Sequence, residues 1–121
     1  MTRRAGGDDW QPVCRLDELE TDRGAAALVH GQAIALFRLA DDRVFALGNH
    51  DPFERASALA KGIVGTRGGV PFVAPPSHRH AFDLRTGACL DDPHVSVAAY
   101  SVDVLEGIVR VGHRRTGSVT G

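Results

Sequence analysis

Short apolar runs rich in Val, Ile, Leu and Phe alternate along the chain with Gly, Pro and polar residues. Runs of this length, closely spaced by turn-forming residues, are typical of the strands of an all-β domain. At residues 34, 36, 44 and 46 apolar side chains recur at every second position, which is the period of a half-buried strand. The predicted strands cover residues 10–16, 25–30, 33–39, 43–47, 62–66, 70–74, 81–84, 88–90, 100–105 and 108–111.

The segments between these runs predict the connections. We expect tight turns at Gly31-Gln32, 41–42, 67–69, 85–87 and 106–107, where Gly and polar residues cluster. Residues 17–23 predict a turn or one helical turn, and residues 56–59 a short helical turn. Two irregular segments, 48–55 and 75–80, leave the predicted sheet, the second because its two prolines cannot donate ladder hydrogen bonds. Polar residues 1–8 and 113–121 predict flexible ends around a domain spanning 9–112.

Length and charge narrow the class of protein. A chain of 121 residues is the size of one domain. Its net charge of −1 argues against nucleic-acid binding, which calls for a strong positive excess. The longest apolar runs, 25–29 and 33–37, are far shorter than the roughly 20 residues of a membrane helix. The chain opens Met-Thr-Arg-Arg without an apolar stretch, so we expect no signal peptide and a cytoplasmic location.

Few residues suggest chemistry by themselves. Cys14 and Cys89 are far apart in sequence, so neither belongs to a Cys-x-x-Cys motif, and we expect two buried thiols. The His78-Arg79-His80 segment has the His-x-His spacing with which a strand presents two imidazoles to one metal ion. A third ligand would have to come from Asp51, Cys89 or His94. The residues alone leave a metal pair and ordinary loop histidines as alternatives.

The order of several segments resembles a Rieske domain over roughly residues 10–112. Arg43-Val-Phe-Ala-Leu47 leads into a loop, followed by Gly-Ile-Val-Gly at 62–65, a Pro/His loop, and Phe82-Asp-Leu-Arg-Thr-Gly-Ala-Cys-Leu90. The resemblance implies an antiparallel β sandwich or barrel with two loops at one tip. In Rieske domains these loops carry Cys-x-His and Cys-x-x-His and hold a 2Fe–2S cluster.

The resemblance places Asp51, Phe53, Pro75 and His78 at the four ligand positions. Only His78 is a residue that such a cluster uses, so the resemblance implies a Rieske-like chain that has lost most of its ligands. Phe53 is then expected to fill the space that a cluster would occupy.

The residues that replace the cluster ligands resemble those of one family with a Rieske-like fold. The Trp-x-x-Val-Cys start at 10–14, Asn49-x-Asp51-Pro52-Phe53 and the segment after the second loop together resemble the small subunit of assimilatory NAD(P)H-dependent nitrite reductase. That family implies a large-subunit partner with FAD, a 4Fe–4S cluster and sirohaem, which reduces nitrite to ammonium in nitrate assimilation. This chain would have no catalytic residue, metal or cofactor of its own, and no nucleic-acid or membrane partner.

The two tip loops are the expected docking surface for that partner. We predict the contacting residues to be Asn49, His50, Asp51, Phe53, Arg55, His78, Arg79 and His80. Two alternatives stay open. One is a Rieske-type ferredoxin with an atypical centre using Asp51 and His78, and the other is a mononuclear metal or small-molecule module using His78, His80 and Asp51.

Overall fold

The computed structural model describes residues 10–53, 55–76 and 80–115, which form a nearly all-antiparallel β fold. None of the helical segments in these ranges has the length and apolar character that a membrane span requires. Short 3₁₀ turns occupy Leu16–Glu18 and Leu59–Lys61. The strands are β1 (Gln11–Arg15), β2 (Arg23–Val29), β3 (Gln32–Arg38), β4 (Val44–Gly48), β5 (His50–Asp51), β6 (Ala56–Ser57), β7 (Ile63–Arg67), β8 (Val70–Ala74), β9 (Phe82–Asp83), β10 (Ala99–Leu105) and β11 (Ile108–Arg114).

Six strands form the main sheet, in the order β1-β11-β10-β4-β3-β2. Its two edge strands approach each other, since the His30 N–H at the end of β2 donates to Gln11 Oε1 on β1 at 3.3 Å. The sheet therefore curls towards a closed barrel, which protects strand edges from pairing with other chains. A three-stranded sheet, β7-β8-β9, and the short β5-β6 hairpin lie outside this curled sheet. The predicted all-β antiparallel fold is confirmed.

Strand β3 is buried on both faces. Ile34 and Leu36 pack in one core cluster with residues of β11, whereas Ala35 and Phe37 pack in a second cluster. That second cluster also contains Val73 and other residues from the region of the three-stranded sheet. The alternating pattern predicted a half-buried strand here, which is wrong for β3. A strand covered on both faces needs apolar residues at successive positions, and 33–37 is such a run.

The first hairpin turns one residue earlier than predicted. Its corner is His30-Gly31, with φ of 50° and 79°, and Gln32 already belongs to β3. Two successive residues with positive φ suit the right-handed twist of the strands, as in a type I′ turn. The second predicted turn of this kind, Glu106-Gly107, is confirmed between β10 and β11.

The segment after β5 differs from the prediction. Residues 56–59 were expected to form a helical turn, but Ala56–Ser57 pairs with β5 as β6, and the 3₁₀ turn comes later, at Leu59–Lys61. A buried anchor explains the shift, because Leu59 is fully enclosed in the core. Gly24 on β2 permits this docking, since a Cβ there would lie 2.3 Å from the Ala60 carbonyl oxygen.

Other boundaries shift by one to three residues. Strand β11 continues through His113 and Arg114, two residues that the polar pattern assigned to the tail. Residues 88–90 form only isolated bridges, Cys89 with Phe82 and Ala88 with Ser96, in place of a full strand. Their bonds to β9 still form the predicted hairpin around 85–87, since the Asp83 N–H donates to the Ala88 carbonyl.

Candidate functional site

The structure brings the two tip loops into contact. We call residues 49–55 the first tip loop and 75–80 the second. The ring of Phe53 in the first loop stacks on the imidazole of His80 in the second, with centroids 3.6 Å apart and planes 5° from parallel. Phe53 also packs against the core, with its ring centroid 6.1 Å from that of Phe82 on β9. An aromatic stack thus joins the loops.

Asp51 shapes the first loop from within. Its side chain is 1% exposed, and its Oδ1 accepts the Phe53 N–H at 2.9 Å. This is the Asx type of turn, in which a carboxylate takes the place of a backbone carbonyl. The Asp51 carbonyl also accepts the Arg55 N–H at 2.7 Å, and Arg55 has a φ of 57°. The loop is therefore a tight, internally bonded turn that positions the Phe53 ring.

Asn49 holds the base of the same loop. It is 7% exposed, and its Oδ1 accepts the Ala60 N–H at 2.8 Å. Its carbonyl accepts the N–H groups of Ala58 and Leu59, at 3.0 and 3.1 Å. These are donors at the start of the 3₁₀ turn, where backbone N–H groups have no partner within the turn. The side chains of Asn49 and Asp51 therefore serve the loop's own conformation and offer little surface to a partner.

The second loop is anchored at both described ends. Pro75 is fully buried where β8 ends. At the other end the Ala81 N–H donates to Asp91 Oδ2 at 2.7 Å, and Arg67 pairs with the same carboxylate at 3.2 Å. The bond from Ala81, together with the Arg67 guanidinium, holds the pKa of Asp91 below its usual value. The predicted docking residues His78 and Arg79 lie outside the described residues.

Sequence reasoning missed an ion pair next to the tip, between a buried Asp83 and an exposed Arg85. Asp83 on β9 is 5% exposed and accepts bonds from the Arg85 backbone and guanidinium at 2.8 to 3.1 Å. Burial would raise the pKa of Asp83, but these bonds and that from the Thr86 N–H outweigh it and lower the pKa. The signal was present in Phe82-Asp-Leu-Arg-Thr-Gly, where a charged pair flanks a buried Leu84. The pair stiffens the hairpin on which Phe82 supports Phe53.

The accessible side of the tip carries an arginine, two histidines and an aromatic ring. His50 and Arg55 are exposed in the first loop, while Phe53 and His80 are half-buried. Among the described residues, Arg55 has no ion-pair partner. Aromatic and Arg side chains are enriched at protein interfaces, and Lys is depleted there. The described tip has this composition.

The residues that the resemblance places at the four ligand positions do not suit a Rieske cluster. Such a cluster needs two thiolates on one iron and two imidazoles on the other. Asp51 is engaged in its own turn, Phe53 offers no donor atom, and Pro75 is a buried ring without a side-chain donor. The fourth position, His78, lies outside the described residues. The three described positions therefore supply none of the Cys and His ligands that they would have to provide.

Neither cysteine lies in a tip loop. Cys14 on β1 packs at the edge of the core cluster that contains Ile34, and Cys89 is buried in the cluster that contains Phe82. Both are free thiols. Burial, and secondarily the Glu18 carboxylate, raise the pKa of the Cys14 thiol, which suppresses the reactive thiolate form. Across the described ranges, no three His, Cys, Asp or Glu side chains are grouped to hold a metal ion.

Comparison with known proteins places this geometry in a family. Residues 9–112 match the model of the Rieske-like [2Fe-2S] domain. The nitrite reductase (NADH) small subunit of Salmonella typhimurium is 37% identical over 103 residues, covering 84% of this chain and 95% of the relative. A nitrite reductase [NAD(P)H] large subunit from Klebsiella oxytoca is 37% identical over 106 residues, which are 88% of this chain but 11% of that polypeptide.

Solved structures agree in fold. A crystal structure from Mycobacterium tuberculosis, named as a candidate NADH-dependent nitrite reductase small subunit, superposes with a TM-score of 0.84 at 44% identity, covering 88% of this chain and 96% of that one. The NMR structure of Escherichia coli NirD gives a TM-score of 0.79 at 33% identity, covering 86% and 96%. The chain therefore belongs to the Rieske-like domain family and, within it, to the nitrite reductase small subunits.

Proposed function

We propose that this chain is the accessory small subunit of a cytoplasmic NAD(P)H-dependent nitrite reductase, and that it docks on the large subunit without an iron–sulfur cluster of its own. One observation carries the proposal. Phe53, at a former ligand position, is stacked on His80 and packed against Phe82. The two tip loops, which a cluster crosslinks in a Rieske domain, are here held together by aromatic packing.

The large subunit as partner is supported by the Klebsiella polypeptide. That large subunit contains a segment similar to 88% of this chain. A module that is part of the same polypeptide stays close to its neighbours at a high effective concentration. A separate chain with the same task needs a noncovalent surface instead, and the tip loops supply exposed His50 and Arg55 for one.

The proposed role follows from what the side chains can do. Electron transfer over protein distances is the work of cofactors, to which a protein contributes binding, orientation and electrostatics. The family resemblance implies FAD, a 4Fe–4S cluster and sirohaem in the large subunit. This chain would then stabilise and orient the large subunit's surface near those groups, and nitrite reduction to ammonium would take place on the partner.

Anaerobic incubation of the purified chain with iron and sulfide is expected to leave it without a 2Fe–2S cluster. Three ligand positions hold Asp51, Phe53 and Pro75, none of which is a Cys or His. Iron content and visible absorption measure the result, with a dioxygenase ferredoxin treated in parallel as the positive control.

This chain is 33% identical to one such ferredoxin subunit, from the anthranilate 1,2-dioxygenase of Burkholderia cepacia. That likeness favours the alternative of a ferredoxin with an atypical centre, and stoichiometric iron with Rieske absorption would establish it.

The chain alone is expected to show no NADH- or NADPH-dependent nitrite reduction, and to raise that activity when added to its large subunit. The measurement is ammonium formation by each subunit and by the mixture, with binding followed in the same samples. Heat-denatured small subunit is the control for nonspecific effects. Activity in the isolated chain, or a large subunit that neither binds it nor responds to it, would overturn the proposed function.

A further inference from the structure

Most arginines of the described chain are neutralised within the molecule. Of the ten described, seven lie within ion-pair distance of a carboxylate. Among the other three, Arg115 donates to the Arg85 carbonyl at 2.8 Å. Arg55 and Arg114 have no ion-pair or hydrogen-bond partner for their guanidinium groups within the described residues. Arg55 lies within the first tip loop, and Arg114 lies beside it.

Arg114 lines a cleft of about 360 Å³ against the first tip loop. The cleft lies between that loop, the start of β3, the segment leading into β10, and the end of β11. No Asp or Glu is among the described residues that line it. Its polar and charged walls come from His50, Arg114, Tyr100 and Gln32, and its apolar walls include Pro52 and Val97.

We propose that this cleft binds an Asp or Glu side chain of the large subunit. An exposed guanidinium without an internal partner is a ready donor pair for a carboxylate, and Arg makes such bonds in a planar, bidentate geometry. His50 adds two ring nitrogens on the loop side, and the apolar walls at Pro52 and Val97 offer contact to the methylene groups of the partner side chain. The inference rests on the proposed function, because it assigns the kind of partner residue that this side of the tip recognises.

Charge reversal at Arg114 tests the assignment. Binding of the large subunit to the Arg114→Glu variant is expected to weaken roughly tenfold or more, because a like charge then faces the partner carboxylate. The Arg114→Gln variant should bind less tightly and show a weaker salt dependence than wild type. Arg23→Glu is the matched control, because Arg23 is exposed and lies at the far end of β2 from the hairpin that adjoins the cleft.

The outcomes separate this inference from the proposed function. Wild-type affinity and salt dependence in both Arg114 variants, with binding still lost on changing Arg55, which lies outside the cleft, would overturn the cleft assignment and leave tip docking intact. Equal weakening by Arg23→Glu would also overturn it, since the effect would then be one of net charge. A large subunit that binds none of the proteins, wild type included, would instead count against the proposed function.

A lysine exchange gives a direct readout of the partner residue. Lys61 is the only lysine in the sequence and lines a different cleft. The Arg114→Lys variant keeps the positive charge and adds one amine, which a carbodiimide joins to a neighbouring carboxylate as an amide with loss of water. We expect mass spectrometry to find residue 114 linked to an Asp or Glu of the large subunit. Links from Lys61 or the N-terminal amine alone, in a complex that forms normally, would contradict the assignment.

Discussion

The Phe53→Ala variant is expected to lose about 3 kcal/mol of unfolding free energy, the low end for removing a Phe side chain from a core. Phe53 is half-buried, but it contacts His80 face to face and packs against Phe82, so its removal deprives both tip loops of their shared contact. Aromatic pairs add about 0.5–1.5 kcal/mol beyond the area they bury. Chemical denaturation of the two proteins measures the difference.

The matched control for this change is His50→Ala. His50 is an exposed ring in the same loop, two residues before Pro52, and its removal should cost about 0.5 kcal/mol or less. Phe53→Leu should recover part of the loss, because it refills the space without restoring the stack. A larger loss for His50→Ala than for Phe53→Ala would mean that the inner and outer sides of the tip are reversed.

Truncating the His and Arg side chains of the tip is expected to weaken binding of the large subunit by about 2–4 kcal/mol, the range of an interface hot spot. Two double variants test the two loops separately: His50→Ala with Arg55→Ala, and His78→Ala with Arg79→Ala. Loss of affinity should be accompanied by loss of nicotinamide-dependent nitrite reduction in the mixture, because the proposed role requires docking. Affinity by calorimetry and activity in the same preparation measure both.

A surface pair away from the tip is the control for these variants. Glu20 and Arg23 form an exposed ion pair near the start of β2, and changing both to Ala leaves the net charge unaltered. If both tip variants bind and activate like wild type while remaining folded, the tip is not the docking surface, and the partner contact lies on a sheet face.

The strands were predictable because their signals are local. Turn residues bracket short apolar runs, and β8 and the Glu106-Gly107 turn were placed correctly from that pattern. The burial of a strand depends on more than its local sequence. The apolar run at 33–37 is compatible with burial on both faces, but it does not show which part of the chain covers the second face. The alternation at Ile34 and Leu36 suggested one buried face where the structure has two.

For the predicted docking residues too, the sequence named the residues, and the tertiary structure decided which of them are accessible. Eight residues were named from the family pattern as one contact surface, and the described ones differ in accessibility. Asn49 and Asp51 look like surface residues by type, yet each is buried because it supplies an acceptor for backbone N–H groups in the loop. Arg114 was assigned to a polar tail, and only its place on β11 brings it beside His50.

By itself the sequence determined the fold class and the family, because these depend on residue type and order. The stacking of Phe53 on His80, the inward turn of Asn49 and Asp51, and the acid-free cleft at Arg114 were decided only by tertiary structure. The stack and the cleft join segments that are distant along the chain, and their contact depends on how the sheets pack and close. The bond from the Phe53 N–H to Asp51 is local, but the burial of Asp51 depends on the same packing. A local pattern carries no information on that packing, since the segments that cover these residues lie in other parts of the sequence.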